Sequence, residues 1–161
     1  MSVKHRERLE KLKQNSLNDS KSKTKNSRFV VNYRHYFRDE TFVYLVTDLC
    51  EETLKDHVLS RSIDDLKKKG RRMIKEILTG LQFLHDQGIL HRDLKPSNVL
   101  VDIGGHMRLA DFGITCFEGR RNSVYTNAKG TPGWMPAEII EAIGQKVESR
   151  YKKSLIFKLL E

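Results

Sequence analysis

Only two cysteines, Cys50 and Cys116, occur in the 161 residues, and they form no C-x-x-C pair. That argues against a disulfide framework and against a zinc site. No run of 18 apolar residues is present, which excludes a helix of the kind that spans a bilayer. Met1 to Lys13 is too charged for a secretory signal, and these absences together point to a reducing, cytoplasmic setting. No aromatic residue precedes Phe29, so the lysine-rich opening lacks the stacking platforms of a single-strand nucleic-acid binder. No glycine precedes Gly70, and no internal repeat is visible.

What is there suits one globular unit: 38% hydrophobic and 32% charged residues in 18.8 kDa. The charge is lopsided. Residues 1–28 hold nine Lys or Arg against three acids and so carry +6 of the net +9. Lysine, serine, threonine and asparagine dominate Lys21 to Arg28, which reads as a linker, and the apolar pattern begins at Phe29. Residues 1–28 are therefore expected to be a basic, disordered head and residues 29–161 the folded part.

Phe29–Phe37 and Phe42–Leu49 are rich in Val, Tyr and Phe and flank Arg38–Thr41, which predicts a β-hairpin. A short helix is expected over Glu52–Leu59. Ile74, Ile77, Leu78, Leu81 and Leu84 recur at helical spacing, predicting a helix over Arg71–Gln87 that stops at Gly88. Val99–Val101 and Met107–Ala110 read as two short strands around a turn-rich connection.

The chemistry flanks this second hairpin. His91-Arg92-Asp93-Leu94-Lys95-Pro96-Ser97-Asn98 follows the pattern H-R-D-L-x-x-x-N, and Asp111-Phe112-Gly113 supplies D-F-G after it. A Ser97, His91, Asp93 hydrolase is a poor competitor, because no G-x-S-x-G elbow presents the serine. From Phe29 to about Ile143 the chain resembles the protein kinases, and Lys95 resembles the serine/threonine class. The implied fold is α+β, a partial protein-kinase fold: the end of the small-lobe sheet, the hinge, and the first part of the mostly helical large lobe.

Phosphoryl transfer needs positioning and charge neutralisation more than covalent chemistry. By the resemblance, Asn98 and Asp111 are Mg²⁺ ligands, oxygen donors suited to a small hard cation. Asp93 accepts the proton of the substrate hydroxyl, and Lys95 places a cation by the transferred group. Thr41–Cys50 resembles the strand and hinge that hold the adenine of ATP, with Thr47 as gatekeeper, the backbones of Asp48 and Cys50 on the base, and Leu100 beneath it. His91 is read as core packing. Asp111–Glu138 resembles an activation segment: Thr131 matches the threonine that contacts the catalytic Asp, and Ser123, Tyr125 and Thr126 are candidate phosphosites for pairing with Arg92.

The resemblance is incomplete. The Gly-rich loop G-x-G-x-x-G-x-V is missing, Lys4 is the sole candidate for the strand lysine, and Glu7 and Glu10 lie too close to it to act as its helix partner. The order Pro136-Ala137-Glu138 departs from A-P-E, and neither Asp nor Trp follows Glu138 to make the family's D-x-W helix. The expectation is a Ser/Thr protein kinase acting on protein substrates with ATP and Mg²⁺, present as a fragment truncated at both ends with impaired activity. A pseudokinase-like scaffold is the alternative. Leu49–Leu54 and Gly130–Trp134 look closest to the unfolded-protein sensor kinase/endoribonuclease and ribonuclease L family, which implies a homodimer in a longer parent. Nucleic-acid binding has nothing but charge behind it, and this chain has no membrane segment.

Overall fold

The computed structural model describes residues 27–117, 124–126, 130–144 and 149–151. The basic head up to residue 26, Ser123 and the tail from residue 152 lie outside the described residues, as do Lys4, Glu7 and Glu10.

The first hairpin pairs β1 (Tyr33–Arg38) with β2 (Val43–Thr47) antiparallel, from Tyr33 opposite Thr47 to Arg38 opposite Val43, with an irregularity between Tyr33 and His35. Asp39 closes its tip. One carboxylate oxygen accepts the amides of Thr41 (2.7 Å) and Phe42 (2.6 Å), and the other accepts the Tyr44 hydroxyl (2.9 Å). The strand expected from Phe29 starts later. Ser27–Phe29 forms a 3₁₀ turn instead, and Val30 bridges in parallel to Leu109. Phe29, Val30 and Val31 are buried by that detour.

A three-stranded sheet follows in the order β3 (Glu52–Thr53), β5 (Val99–Val101), β6 (Met107–Leu109), all antiparallel, with Val99 opposite Leu109 and Val101 opposite Met107. Thr53 ends β3 and caps α1 (Leu54–Ser60), its hydroxyl accepting the Asp56 amide at 3.2 Å. The short helix thus begins two residues later than its sequence pattern suggested. Ser62 caps α2 (Ile63–Asp86) through the Asp65 amide, with Asp64 and Asp65 in the first turn. This helix starts eight residues ahead of Arg71. Its end agrees with expectation: Gly88 adopts φ 68° and donates to the His85 carbonyl.

The core lies between α2 and the three-stranded sheet. Leu81 and Leu84 from the helix meet Val99, Val101, Met107 and Leu109 from the strands, all of them buried. Ile74 of the predicted apolar stripe stays half exposed, and Met73 and the buried carboxylate of Glu76 face inward in its place. Glu76 accepts the Met107 amide (2.9 Å) and pairs with His106 Nδ1 (2.8 Å), fastening the second hairpin to the helix. Beyond it β4 (Ile89–Leu90) pairs with β7 (Cys116–Phe117), β8 (Val124–Thr126) pairs with β9 (Ser149–Tyr151), and α3 (Ala137–Gly144) follows Pro136. Tyr125 and Thr126, two of the candidate phosphosites, are therefore in a paired strand.

Candidate active site

The loop between β4 and β5 carries the catalytic candidates. His91, fully buried, anchors it. A carbonyl can only accept and an amide N–H can only donate, so Nε2 donates to the Ala110 carbonyl (2.8 Å) and Nδ1 accepts from the Asp93 amide (3.3 Å). The ring is the neutral Nε2–H tautomer, and burial holds its pKa below the ordinary histidine value. His91 is thus a structural post between the loop and the end of β6, as its sequence context implied.

Arg92 follows with φ 66°, a left-handed backbone unusual for a side chain of its size. Its Nε donates to the Ile114 carbonyl at 2.7 Å, and Nη2 donates to the same oxygen. That ties the loop to the segment after Asp111-Phe112-Gly113. Phe112 is buried, edge-on to Tyr33 at 5.8 Å and tilted against His91 at 5.5 Å.

Three side chains converge on Asp93. Oδ2 accepts from Lys95 Nζ (2.9 Å) and from Asn98 Nδ2 (2.9 Å), and Oδ1 accepts from the Thr131 hydroxyl (2.6 Å). Lys95 Nζ also donates to Thr131 Oγ1 at 2.6 Å, which closes the ring. Burial on its own would raise the Asp93 pKa. The Thr131 and Lys95 hydrogen bonds, the Lys95 charge and the Asn98 amide outweigh it and hold the carboxyl below its usual range. At neutral pH Asp93 is a carboxylate fixed in orientation, suited to align a hydroxyl.

Asn98 sits in the 3₁₀ turn Pro96–Asn98 and is buried. Its Nδ2 bonds to both Asp93 Oδ2 and the Asp93 carbonyl (2.9 Å each), so Oδ1, the atom a hard cation needs, is not used in this ring. The Asn98 carbonyl accepts from the Ala110 amide (2.9 Å), which sets Asp111 one residue away along the chain. Asp111 has φ 60° and an exposed side chain. An amide oxygen and a carboxylate fit a small cation that keeps waters and shares nucleotide phosphates. Among the described residues no cluster of three or more His, Cys, Asp or Glu offers a rival metal site.

The hinge candidates lie at the end of β2. Asp48 accepts Asn32 Nδ2 (2.7 Å) and Arg34 Nε (2.6 Å), and Arg108 Nη1 approaches it at 3.8 Å while Arg108 Nη2 holds Asp102 at 2.8 Å. Sequence reasoning missed this chain of charges across the hinge, because its members are scattered over the sequence. The Asp48 amide donates to the Asn32 carbonyl (3.2 Å), and the Asp48 carbonyl accepts from the Thr47 hydroxyl (3.2 Å). Cys50 is half-buried, and burial raises its thiol pKa. Leu100 lies at the middle of β5, opposite Thr53 and Arg108.

Residues 2–154 match the model of the protein kinase domain. The chain belongs to the protein kinase family. The family match extends beyond the stretch on which the motifs made the resemblance visible. The kinase chain is 38% identical over 120 residues to the human serine/threonine-protein kinase MRCK gamma, covering 73% of this chain and 8% of that protein. It is 31% identical over 124 residues to mouse serine/threonine-protein kinase PLK2 (74% and 18%). A probable serine/threonine-protein kinase of Dictyostelium discoideum is 34% identical over 113 residues (70% and 25%). The chain thus spans a quarter or less of the length of these relatives. The ring around Asp93 lies within the residues that match the family model, and no described helix is long and apolar enough to cross a membrane.

Proposed function

We propose that this kinase chain serves ATP-dependent phosphoryl transfer to serine and threonine hydroxyls of protein substrates. The observation that carries the reading is the closed ring Asp93, Lys95, Asn98, Thr131, with an ionised carboxylate and a lysine ammonium at one point. Asn98 Oδ1 and Asp111 would hold Mg²⁺, which supplies charge neutralisation on the phosphates when bound. Asp93 aligns the hydroxyl and takes its proton, and Lys95 faces the charge on the transferred group. The Asp48 carbonyl and the Cys50 amide meet the adenine edge, Thr47 borders it and Leu100 lies under it.

Residues 1–28 act in this reading as a basic head and 29–161 as the partial catalytic unit. Weak nucleotide use follows from the missing Gly-rich loop. Cytoplasmic placement and a homodimer belong to the same proposal. The narrower likeness to the sensor kinase/endoribonuclease and ribonuclease L family rests on Leu49–Leu54 and Gly130–Trp134 alone.

The test is steady-state phosphorylation of a Ser/Thr peptide alongside nucleotide titration. Positioned base catalysis contributes typically 10²–10⁴-fold, so Asp93→Asn loses at least about 100-fold in kcat with nucleotide affinity nearly unchanged. Retention of more than half the kcat would remove Asp93 from the reaction. Nucleotide binding without any transfer by the unaltered chain would favour the scaffold alternative.

A further inference from the structure

The basic charge that the active site does not use is concentrated on one face of α2. Lys68, Arg71, Arg72 and Lys75 recur at i, i+3, i+4 and i+7, and all four are exposed. That spacing puts them in one stripe about 10 Å long. Buried Met73, Glu76, Gly80 and Leu84 lie on the other side of the helix. Lys67 and Lys69 border the stripe, and Asp64 precedes Lys68 by one turn.

Most of these cations have no ion-pair partner among the described residues. Among the described residues, no carboxylate pairs with Lys67, Lys68, Lys69, Arg71 or Lys75. Arg72 approaches Glu76 only at 4.0 Å and spends Nη2 on the Gly105 carbonyl at 2.9 Å. Glu76 is already taken by His106 and Met107. A stripe left unpaired raises the local concentration of polyanions.

Its neighbours say which polyanion fits. Ile63, Lys67, Arg71 and Ile74 follow one edge of the helix at i, i+4, i+8 and i+11, and the two isoleucines are 71% and 50% exposed. The turn that Arg72 holds carries Ile103 at its tip, 84% exposed. Isoleucines beside cations match a bilayer surface, where the charge meets headgroups and the branched chains enter the acyl boundary. No aromatic side chain lies on the stripe to stack on a base.

We propose that the outward face of α2 docks this kinase chain on an anionic lipid bilayer, independently of the phosphoryl-transfer reading. The test is co-sedimentation of the full chain with vesicles of phosphatidylcholine alone and of phosphatidylcholine mixed with phosphatidylserine. Each cation near an anionic leaflet is worth about fivefold in partition, so Lys68→Gln/Arg71→Gln/Lys75→Gln weakens binding to the mixed vesicles on the order of 100-fold. The head, with its own charge, is present in both proteins and cancels in the comparison. Ile63→Ser/Ile74→Ser is a second variant, expected to release the chain at a lower salt concentration than the unaltered protein. An unchanged circular-dichroism melt shows that either variant is folded.

Three results would overturn the proposal: no binding to mixed vesicles by the unaltered chain, a loss below about threefold in the triple variant, or duplex RNA captured through the stripe while vesicles are not. A triple variant that melts early passes the decision to the isoleucine pair. If that pair binds the mixed vesicles as the unaltered chain does at every salt concentration, the surface is not a membrane face.

Discussion

Thr131 and Asp93 lie 38 positions apart and meet through one hydrogen bond, Oγ1 to Oδ1 at 2.6 Å. Gly130 permits the approach: its φ is 148°, and a Cβ there would stand 3.1 Å from the Arg92 carbonyl. Thr131 is thereby part of the ring around Asp93, since the same hydroxyl receives Lys95 Nζ.

Removing that hydroxyl isolates its contribution. Asp93 is held below its ordinary pKa, so its contacts stabilise the fold above the unfolded value of about 3.9 and are lost as pH falls through the folded value. Asp48 and Asp102 are lowered in the same sense against the cost of burial. Stability should therefore fall as pH drops below about 4. Thr131→Val should raise the folded Asp93 pKa toward its unfolded value, so that the acid loss still begins near pH 4 but is smaller and ends at higher pH. Melting temperature against pH for the two proteins measures this, and superimposable acid limbs would contradict it.

Nucleotide affinity follows from what does not cover the phosphates. With no glycine before Gly70, this sequence supplies no Gly-rich loop, whose charge-assisted contacts to phosphate are worth about 1.5–3 kcal/mol each. Mg·ATP should bind no tighter than roughly 1 mM, near −4 kcal/mol. Calorimetry giving micromolar affinity would show that other groups hold the phosphates.

Glu76 has a structural role that substitution can separate from charge. Glu76→Leu leaves the buried Met107 amide without its acceptor and should cost about 1–3 kcal/mol. Glu76→Gln keeps a carbonyl oxygen for that amide and should cost less than half as much. Urea unfolding of both compares them, and equal costs would mean that the negative charge, rather than the acceptor, is what the second hairpin needs.

The local motif was the legible part. Asp93, Lys95 and Asn98 fall within six residues, so the sequence displays their proximity, whereas Thr131 is reached only through the resemblance of Asp111–Glu138 to an activation segment. Asp111 is brought near by a hairpin whose two strands were predicted within one residue. The helix start was misplaced because Lys67-Lys68-Lys69-Gly70 shows no apolar period. The signal that could have found it is the cap, Ser62 followed by Asp64 and Asp65. The 3₁₀ detour at Ser27–Phe29 was hidden because its apolar residues also suit a strand, and only the bridge to Leu109 decides between them. The Arg108 contacts to Asp48 and Asp102 depend on two strands meeting, which no local pattern encodes.

Two glycines of α2 give a paired test of how the helix is seated. At Gly70 a Cβ would have nothing within 4 Å, so Gly70→Ala should stabilise by about 0.5–1 kcal/mol through the reduced freedom of the unfolded chain. At Gly80 the same atom would stand 2.8 Å from the Phe29 carbonyl and 3.1 Å from Leu109 Cδ1. The propensity gain is the same, but a backbone oxygen in a buried turn cannot yield as a flexible side chain does. Gly80→Ala should therefore destabilise by about 1–3 kcal/mol. The positions are about 15 Å apart along the helix, so the double variant should show the sum of the two effects. Thermal or urea unfolding of the three variants measures each. If Gly80→Ala were as stable as Gly70→Ala, Phe29 would not press against α2, and the seat of the first hairpin on the core would have to be redrawn.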